Sequence, residues 1–250
     1  MMRKFFIIIC CCFCVCAALA VRPKSYQDID FKDVDEYVLK APIIDDEKDL
    51  DDLVYFLTKT FKKDTQKARA IFSWIVYNID YDDYEARFND KTVDKGEKFE
   101  YLGSIMETRS GVCRDIAALY HKMAQKAGLK TQVVSGTAGQ NLTKKNAKYN
   151  QHDWLVIEIE GEWEYLDPTW AIQGQKSFQE VSTDRQYRKE MKKRLKDKDR
   201  LKPRKERTIT NTYFLADKED FSKTHFPDDD KWQLQRKSIS YTKFLSGSQK

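Results

Sequence analysis

Hydrophobic residues recur at steps of three and four through much of residues 50–127, a spacing that predicts helices with one apolar face. The pattern breaks near Lys62, so we expect two helices there, with Asp64 capping the second. A third helix is expected to end at Gly128, because glycine readily adopts the left-handed conformation of a helix C-terminus. Its apolar face consists of Ile116, Leu119, Tyr120, Met123 and Ala127.

The pattern changes to short apolar runs after residue 130, which predicts strands. Strands are expected over residues 131–134, 154–159 and 163–166, and the dipeptide Glu160-Gly161 is typical of a two-residue hairpin loop.

The length of the hairpin loop decides which side chains face each other. With two loop residues, Ile159 pairs with Glu162, and Trp154 lies opposite Asp167. Asp167 then shares a face of the sheet with His152, its diagonal neighbour, whereas an odd loop length would place the two on opposite faces. The two-residue loop therefore predicts an aspartate and a histidine side by side at one end of the hairpin.

The first twenty residues have the composition of a secretory signal peptide. A basic start at Arg3 and Lys4 precedes an apolar run over residues 5–15 and the small-residue ending Ala18-Leu19-Ala20. The apolar run is short for a membrane anchor, which is the alternative interpretation. We therefore expect cleavage near Ala20 and a secreted or periplasmic product without a transmembrane segment.

The remaining chain is interpreted as a polar arm over residues 21–46 and one domain over residues 47–245, with a basic insertion at about 186–208. The sequence has 45 Lys and Arg against 40 Asp and Glu. The excess is local, since twelve Lys and Arg and four acids lie between Arg188 and Arg207, a net charge of 12 − 4 = +8. The simplest interpretation is a solvated helix or a mobile insertion, and an anionic polymer or surface as partner is the alternative. Aromatic residues do not alternate with these charges, so no nucleic-acid partner is expected.

Five of the six cysteines lie in the expected signal peptide, which leaves Cys113 alone in the mature chain. A lone thiol in an exported protein is either an inert packing residue or a nucleophile. Ser110 is the expected N-cap of the helix that contains Cys113, which places the thiol in the first turn. The unpaired N–H groups and the helix dipole favour an anion there, so the position suits a thiolate.

Cys113, His152 and Asp167 together supply a thiol nucleophile, a general base and a group that orients the base. Each is a weak signal alone, because a helical cysteine usually packs in the core and a histidine or aspartate at a strand end usually serves a turn. Of the two rival histidines, we interpret His121 as a surface or packing residue and His225 as a structural cap of its turn.

Trp74 and Trp154 are candidates for the wall of a cleft, although core packing is the more common role of such residues. The sequence shows no metal ligand set, because its three histidines are far apart along the chain and no cysteine pair or spaced carboxylates complete a site. It also shows no phosphate-binding glycine pattern. No cofactor is expected.

Three segments of the sequence resemble the transglutaminase-like superfamily. They are Gly111-Val112-Cys113-Arg114-Asp115-Ile116-Ala117, Gln151-His152-Asp153-Trp154 and Leu166-Asp167-Pro168-Thr169. The helix over residues 68–75, with the Asn78-Ile79-Asp80-Tyr81-Asp82 that follows, matches an upstream motif of the same family. Three C-terminal segments are similar to its kyphoscoliosis-peptidase-like branch, namely Tyr213-Phe214-Leu215, Thr224-His225-Phe226-Pro227 and Lys231-Trp232-Gln233-Leu234.

The resemblance implies a papain-like α+β core, with the cysteine at a helix N-terminus packed on an antiparallel sheet that carries the histidine and the aspartate. It assigns Cys113 as nucleophile, His152 as base and Asp167 as the residue that orients the base. The implied activity is thiol acyl transfer on a peptide or carboxamide bond of a protein or peptide substrate. Hydrolysis by a cysteine peptidase is preferred over cross-linking by a transglutaminase. A non-catalytic binding or scaffold module at the cell surface is the alternative.

Overall fold

The computed structural model describes residues 25–82, 101–172, 189 and 192–247. The expected signal peptide and the first part of the basic segment lie outside these residues. Within them, no helix is both long enough and apolar enough to cross a membrane.

The described chain contains eight helices and seven strands, and three of the helices precede the first strand. The helices are α1 (Lys32–Val38), α2 (Leu50–Thr58), α3 (Asp64–Asn78), α4 (Tyr101–Thr108), α5 (Cys113–Lys126), α6 (Pro168–Ile172), α7 (Lys218–Ser222) and α8 (Tyr241–Gly247). A further helical turn covers residues 192–196. The strands are β1 (Asp80–Tyr81), β2 (Ser110–Gly111), β3 (Thr131–Ala138), β4 (Gln151–Ile159), β5 (Glu162–Leu166), β6 (Phe214–Ala216) and β7 (His225–Pro227).

The main core lies between helices and one face of a five-stranded antiparallel sheet in the order β6-β5-β4-β3-β7. Helix α3 is buried continuously from Ala68 to Asn78, which is typical of a helix in the centre of a domain. Helix α5 packs against both α3 and the two central strands, β3 and β4. The predicted α+β fold is confirmed.

The predicted break between the first two long helices is confirmed, since α2 ends at Thr58 and α3 begins at Asp64. The prediction of Asp64 as the N-cap is wrong by one residue, because Lys63 holds that position in an extended conformation and without a side-chain hydrogen bond. Asp64 still lies in the first turn, where its negative charge interacts favourably with the helix dipole.

The hairpin has the predicted two-residue loop, and Ile159 pairs with Glu162. Both loop residues have positive φ angles, 53° at Glu160 and 83° at Gly161. This conformation suits a two-residue hairpin, because its twist matches that of the strands. The strand pairing therefore directs Asp167 towards the same end of the sheet as His152.

Gly136 on β3 lies opposite His152 on one side and Pro227 on the other. A Cβ atom at this position would collide with the backbone of β7 and with the Trp154 ring. A glycine is needed here because three elements of the sheet approach one point closely. The small residue allows β7, which carries His225, to lie close to the strand that carries His152.

The interpretation of residues 21–46 as a polar arm is wrong for the part that the structure describes. Helix α1 packs against α3, and Asp35 of α1 accepts two hydrogen bonds of 2.8 Å from the buried Arg69 of α3. The apolar residues of this segment are few and lie among many charges, so their spacing is a weak signal. Those buried in the core are Phe31, Val34, Val38 and Ile44.

The basic segment is packed onto the domain wherever the structure describes it, so the preferred interpretation as a solvated helix or mobile insertion is wrong there. We call residues 192–207 the arginine strap. Three of its arginines converge on Asp80, which is 6% exposed. The Nη2 atoms of Arg194 and Arg204 lie 2.6 Å and 3.2 Å from Asp80 Oδ2, and Arg207 Nη2 donates to Oδ1.

The strap also supplies donors to the C-terminal ends of two helices. Arg194 Nε donates to the Thr108 carbonyl at 2.6 Å and Arg200 Nε to the Glu107 carbonyl at 2.7 Å, both at the end of α4. Arg207 Nη1 donates to the Val76 carbonyl, near the end of α3, at 2.5 Å. Helix C-termini carry unpaired carbonyls and partial negative charge, so arginine is well suited to both.

The lysines of the strap point to solvent while its arginines point inwards. This division follows from the chemistry of the two cations, because a guanidinium satisfies several acceptors in one plane and an ammonium group is more strongly hydrated. The exposed lysines are Lys192, Lys193, Lys196, Lys198, Lys202 and Lys205.

Candidate active site

Cys113 is the first residue of α5, directly after the strand β2, which pairs in parallel with β1. The prediction of Ser110 as the helix N-cap is wrong, because Ser110 belongs to β2 and Val112 is the N-cap. Val112 has no capping side chain, and its own N–H is instead bound by the Asp115 carboxylate at 3.1 Å. The prediction that Cys113 lies in the first turn is confirmed.

The Cys113 side chain is a free thiol and is partly exposed. Its backbone N–H lies at the first helical position, where no acceptor within the helix is available. The thiol is close enough to His152 to contribute, after Asp167, to the raised pKa of that imidazole. A reagent from solvent can therefore reach part of the Cys113 side chain.

His152 and Asp167 make the hydrogen bond that the strand register predicts, with His152 Nε2 2.8 Å from Asp167 Oδ2. This bond occupies Nε2 and leaves Nδ1 of His152 for the thiol. Asp167 Oδ1 accepts the backbone N–H of Trp170 at 3.0 Å, so the carboxylate also caps α6, with Pro168 at the first helical position. The cap and the His152 contact are two of the interactions that orient Asp167.

The charges of this buried pair stabilise each other. Burial alone lowers the pKa of His152, but the Asp167 carboxylate and Cys113 outweigh it and raise that pKa to about 10. Burial alone raises the pKa of Asp167, but His152 and His225 outweigh it and lower that pKa to about 2. At neutral pH the pair is therefore an imidazolium and a carboxylate.

The interpretation of His225 as a structural cap of its turn is incomplete, because its ring reaches the same carboxylate. His225 Nε2 lies 3.1 Å from Asp167 Oδ2, and the ring is 3% exposed. Burial lowers the pKa of His225 and, with the nearby charge of His152, outweighs the Asp167 carboxylate, which raises it. No pattern in the sequence indicated this contact, because β7 is only three residues long and pairs with β3, distant along the chain.

Aromatic rings surround the two imidazoles. Trp154 is completely buried, with its ring centroid 5.2 Å from that of His225, and Trp74 lies in the main core. Both tryptophans are therefore core-packing residues and not walls of a cleft. Trp170 is partly exposed, with its ring centroid 6.0 Å from that of His152. It is a wall residue that the sequence analysis missed, although Asp-Pro at a helix start placed it near Asp167.

His121 lies away from these groups, and its Nδ1 contacts the Thr131 hydroxyl at 2.7 Å, as expected for a packing residue. The expectation that the histidines are far apart holds along the chain but not in space. Among the described residues, one group has metal-ligand chemistry, namely His152, Asp167 and His225. Each histidine's Nε2 already makes a hydrogen bond to Asp167, so hydrogen bonding explains the cluster.

Comparison with known proteins gives this arrangement a context. A family model of the transglutaminase-like superfamily matches residues 51–168, which include Cys113, His152 and Asp167. Kyphoscoliosis peptidase of Homo sapiens is 24% identical over 219 residues, which cover 86% of this chain and 29% of the human protein. Hillarin of Drosophila melanogaster is 22% identical over 221 residues, which cover 86% of this chain and 24% of that protein. The chain spans less than a third of the length of these relatives.

Two solved structures share part of the fold. The periplasmic domain of TgpA from Pseudomonas aeruginosa aligns with 58% of this chain and 49% of that chain, at 18% identity and a TM-score of 0.38. A structure described as a TGase aligns with 67% of this chain and 39% of that chain, at 15% identity and a TM-score of 0.38.

Proposed function

Because this chain carries a transglutaminase-like domain over residues 51–168, we propose that it is a thiol acyl-transfer enzyme in which Cys113 is the nucleophile. The observation that carries the proposal is the geometry around His152. Its Nε2 is 2.8 Å from Asp167 Oδ2, and the thiol at the start of α5 helps to raise the pKa of the same ring. A base held between a thiol and a buried carboxylate is the arrangement that thiol nucleophiles require.

The proposed reaction begins from an ion pair in which the Cys113 proton already lies on His152, and the Asp167 carboxylate stabilises the imidazolium. The thiolate attacks the carbonyl carbon of a peptide or carboxamide bond, and the Cys113 N–H donates to the developing oxyanion. His152 returns the proton to the departing amine as the C–N bond breaks, leaving a thioester on Cys113. An acceptor then loses a proton to His152 and attacks the thioester, which frees the thiol.

We propose water as the usual acceptor, so that the enzyme is a cysteine peptidase rather than a cross-linking transglutaminase. Water needs no second binding surface, whereas an amine must be bound and the thioester shielded from hydrolysis. Peptides or proteins are the proposed substrates. We further propose that the protein is exported, on the basis of the signal-peptide composition of residues 1–20.

The test measures the rate at which iodoacetamide alkylates Cys113 from pH 4 to pH 9. The full chain is used, and labelling is followed in the peptide that contains Cys113. We expect rapid labelling at pH 5–6, where an ordinary thiol is protonated, and loss of that rapid phase in His152→Ala. His121→Gln is the matched control, because it removes an imidazole that has no contact with the thiol, and it should label like the wild type.

Turnover is then measured with a fluorescently labelled protein substrate, with and without a labelled primary amine. We expect hydrolysis by the wild type and none by Cys113→Ala, with amine incorporation a minor product. Dominant amine incorporation would reverse the preference for water. Slow labelling of Cys113 that is unaffected by His152→Ala, together with no turnover, would reject the enzyme and favour a binding or scaffold module with this fold.

A further inference from the structure

The proposed mechanism uses three side chains, but the carboxylate at its centre has a second imidazole partner. Asp167 is completely buried and receives three hydrogen bonds, one at Oδ1 from the Trp170 N–H and two at Oδ2 from His152 and His225. His225 does not contact the thiol in any described interaction. Its ring centroid lies 5.7 Å from that of His152, and its hydrogen bond to the catalytic group is the one to Asp167.

The hydrogen bonds of His225 define its protonation state. Asp167 is ionised and accepts only, so Nε2 of His225 carries the hydrogen. The pKa of His225 is lowered, chiefly by burial, so the ring is neutral and Nδ1 is an acceptor. The Thr224 hydroxyl, which also contacts the Phe221 carbonyl at 3.2 Å, lies 2.9 Å from Nδ1. One carboxylate thus holds one charged imidazole and one neutral imidazole.

The surroundings of His225 prevent its ring from turning away. The ring stacks on Phe221, with centroids 3.8 Å apart and planes at 16°, and Trp170 lies 4.5 Å away between centroids. The backbone is held in the sheet, where His225 pairs with Ala138 of β3. A donor fixed by packing on several sides fixes the acceptor it contacts.

We propose that His225 is a positioning residue, which holds the Asp167 carboxylate in line with His152 by donating a second hydrogen bond to Oδ2. The inference rests on the proposed thiol chemistry of Cys113. Without this donor, the buried Oδ2 keeps only its hydrogen bond with His152. The carboxylate then has one fewer contact that opposes rotation about its Cβ–Cγ bond. His152 would then lose the alignment that favours its charged form.

The experiment compares His225→Phe with His225→Gln. Phenylalanine keeps an aromatic ring for the stack on Phe221 and removes the N–H donor, whereas glutamine removes the ring and offers an amide N–H at about the position of Nε2. Steady-state turnover and the pH dependence of Cys113 alkylation are measured for both. The titratable groups around Asp167 that can shape that pH profile are His152 from β4, His225 from β7, Tyr213 and, through His152, Cys113.

We expect His225→Phe to lower kcat about 10- to 100-fold with little change in KM, the loss expected for one hydrogen bond to a charged group. Its rapid alkylation at pH 5–6 should disappear, whereas His225→Gln should retain most of it. A purely structural role would instead make both variants lose activity in proportion to their loss of thermal stability, with an unchanged pH profile. That outcome, or wild-type behaviour of His225→Phe, would overturn the inference.

A second variant covers the case in which His225→Phe does not fold. Thr224→Val removes the hydroxyl that contacts Nδ1 and leaves the ring in place, so the preferred tautomer of His225 is less well defined. We expect a smaller loss of kcat, of a few-fold, and a shift of the alkylation profile in the same direction, and an unchanged profile would contradict the inference. The wild type and His152→Ala separate this test from the proposed function, because the proposed function fails if those two label alike.

Discussion

Asp167 and Asp80 are both buried carboxylates that collect hydrogen bonds from cationic or ionisable side chains, but their partners differ. Asp167 contacts two imidazoles, those of His152 and His225. Asp80 contacts three guanidiniums of the arginine strap. An imidazole gains and loses a proton near neutral pH, whereas a guanidinium stays charged. The first centre can therefore move protons, and the second can only hold the chain together.

The two centres are connected to Cys113 in different ways. Asp80 belongs to β1, which pairs with β2 immediately before the thiol, and the Asp80 N–H bonds the Arg109 carbonyl at 2.8 Å. Asp167 acts on the thiol through His152. One aspartate thus supports the backbone that presents the proposed nucleophile, and the other contacts the imidazole of the proposed base.

Asp167→Asn is expected to have the largest effect on activity. The amide N–H of asparagine can face the imidazole N–H groups of His152 and His225, which require an acceptor. His152 also loses the negative charge that raises its pKa. We expect kcat to fall by about 10²- to 10⁴-fold, measured by turnover and by alkylation of Cys113 at pH 5–6. Asp153→Asn, a carboxylate on the same strand as His152 that hydrogen bonds Ser135, is the control. Turnover by Asp167→Asn equal to that of the control would contradict this assignment.

Asp80→Ala is expected to have the largest effect on stability. Removal of the carboxylate leaves buried guanidinium charge uncompensated, which destabilises a protein by about 3–5 kcal/mol and would lower Tm by roughly 10 °C in a domain of this size. Well below that Tm, alkylation of Cys113 should stay within a few-fold of the wild-type rate.

Asp45→Ala is the matched control for Asp80→Ala. Asp45 also faces the strap, 3.9 Å from Lys198 and 4.0 Å from Arg200, but its side chain is 46% exposed. An exposed ion pair contributes about 0–1 kcal/mol, so Asp45→Ala should change Tm little. Equal changes of Tm in the two variants would show that Asp80 is not the centre that holds the strap.

The contrast between the two centres also shows what the sequence could and could not predict. The Asp167 centre was predictable in part, because a two-residue loop at Glu160-Gly161 fixes the register that places Asp167 beside His152. His225 was not predictable, since its contact depends on a three-residue strand pairing with β3 through the space that Gly136 leaves. Local patterns determine hairpin register, but not the partner of a short edge strand.

The arginine strap was misread for a related physical reason. A run of basic residues has no apolar periodicity, and charge runs are usually solvated. Its arginines donate hydrogen bonds to one buried carboxylate and to the carbonyls at the ends of α3 and α4. Sequence patterns do not reveal these acceptors. The segment containing α1 was misread similarly, because few apolar residues anchor it.

The pH dependence of stability should separate the two aspartates. The three arginines outweigh burial and lower the pKa of Asp80, so its contribution is present above about pH 4 and is lost as the pH falls through the folded-state pKa. The difference in unfolding free energy between wild type and Asp80→Asn should therefore be flat above pH 5 and narrow below pH 4, by at most about 1.4 kcal/mol per pH unit.

For Asp167→Asn, the same difference should be bell-shaped. It falls below about pH 4, because the unfolded chain then binds a proton at Asp167 that the folded carboxylate, with a pKa of about 2, does not. It also falls above about pH 6.5, because the stability from the raised pKa of His152, about 10, is lost as the pH rises towards that value. Urea unfolding from pH 3 to pH 9 measures both curves. A flat curve for Asp167→Asn above pH 5 would show that His152 is not charged in the folded protein.

Neutralising the exposed lysines of the strap is expected to have the smallest effect on stability, and it tests whether the strap recruits an anionic polymer. Deleting the segment would also remove the partners of Asp80, so Lys192→Gln, Lys193→Gln and Lys196→Gln are combined instead. Unfolding free energy should change by less than about 0.5 kcal/mol, because the arginine contacts remain. If the lysines recruit an anion, elution from immobilised heparin should shift to lower salt.

The same number of charges is removed elsewhere as the control, by Lys144→Gln, Lys145→Gln and Lys148→Gln in an exposed loop. A local recruitment site predicts a larger shift in elution for the strap variant than for the control. Equal shifts would assign retention to net charge alone. The strap would then be a purely structural element, in which the arginines bind Asp80 and the lysines keep the outer face solvated.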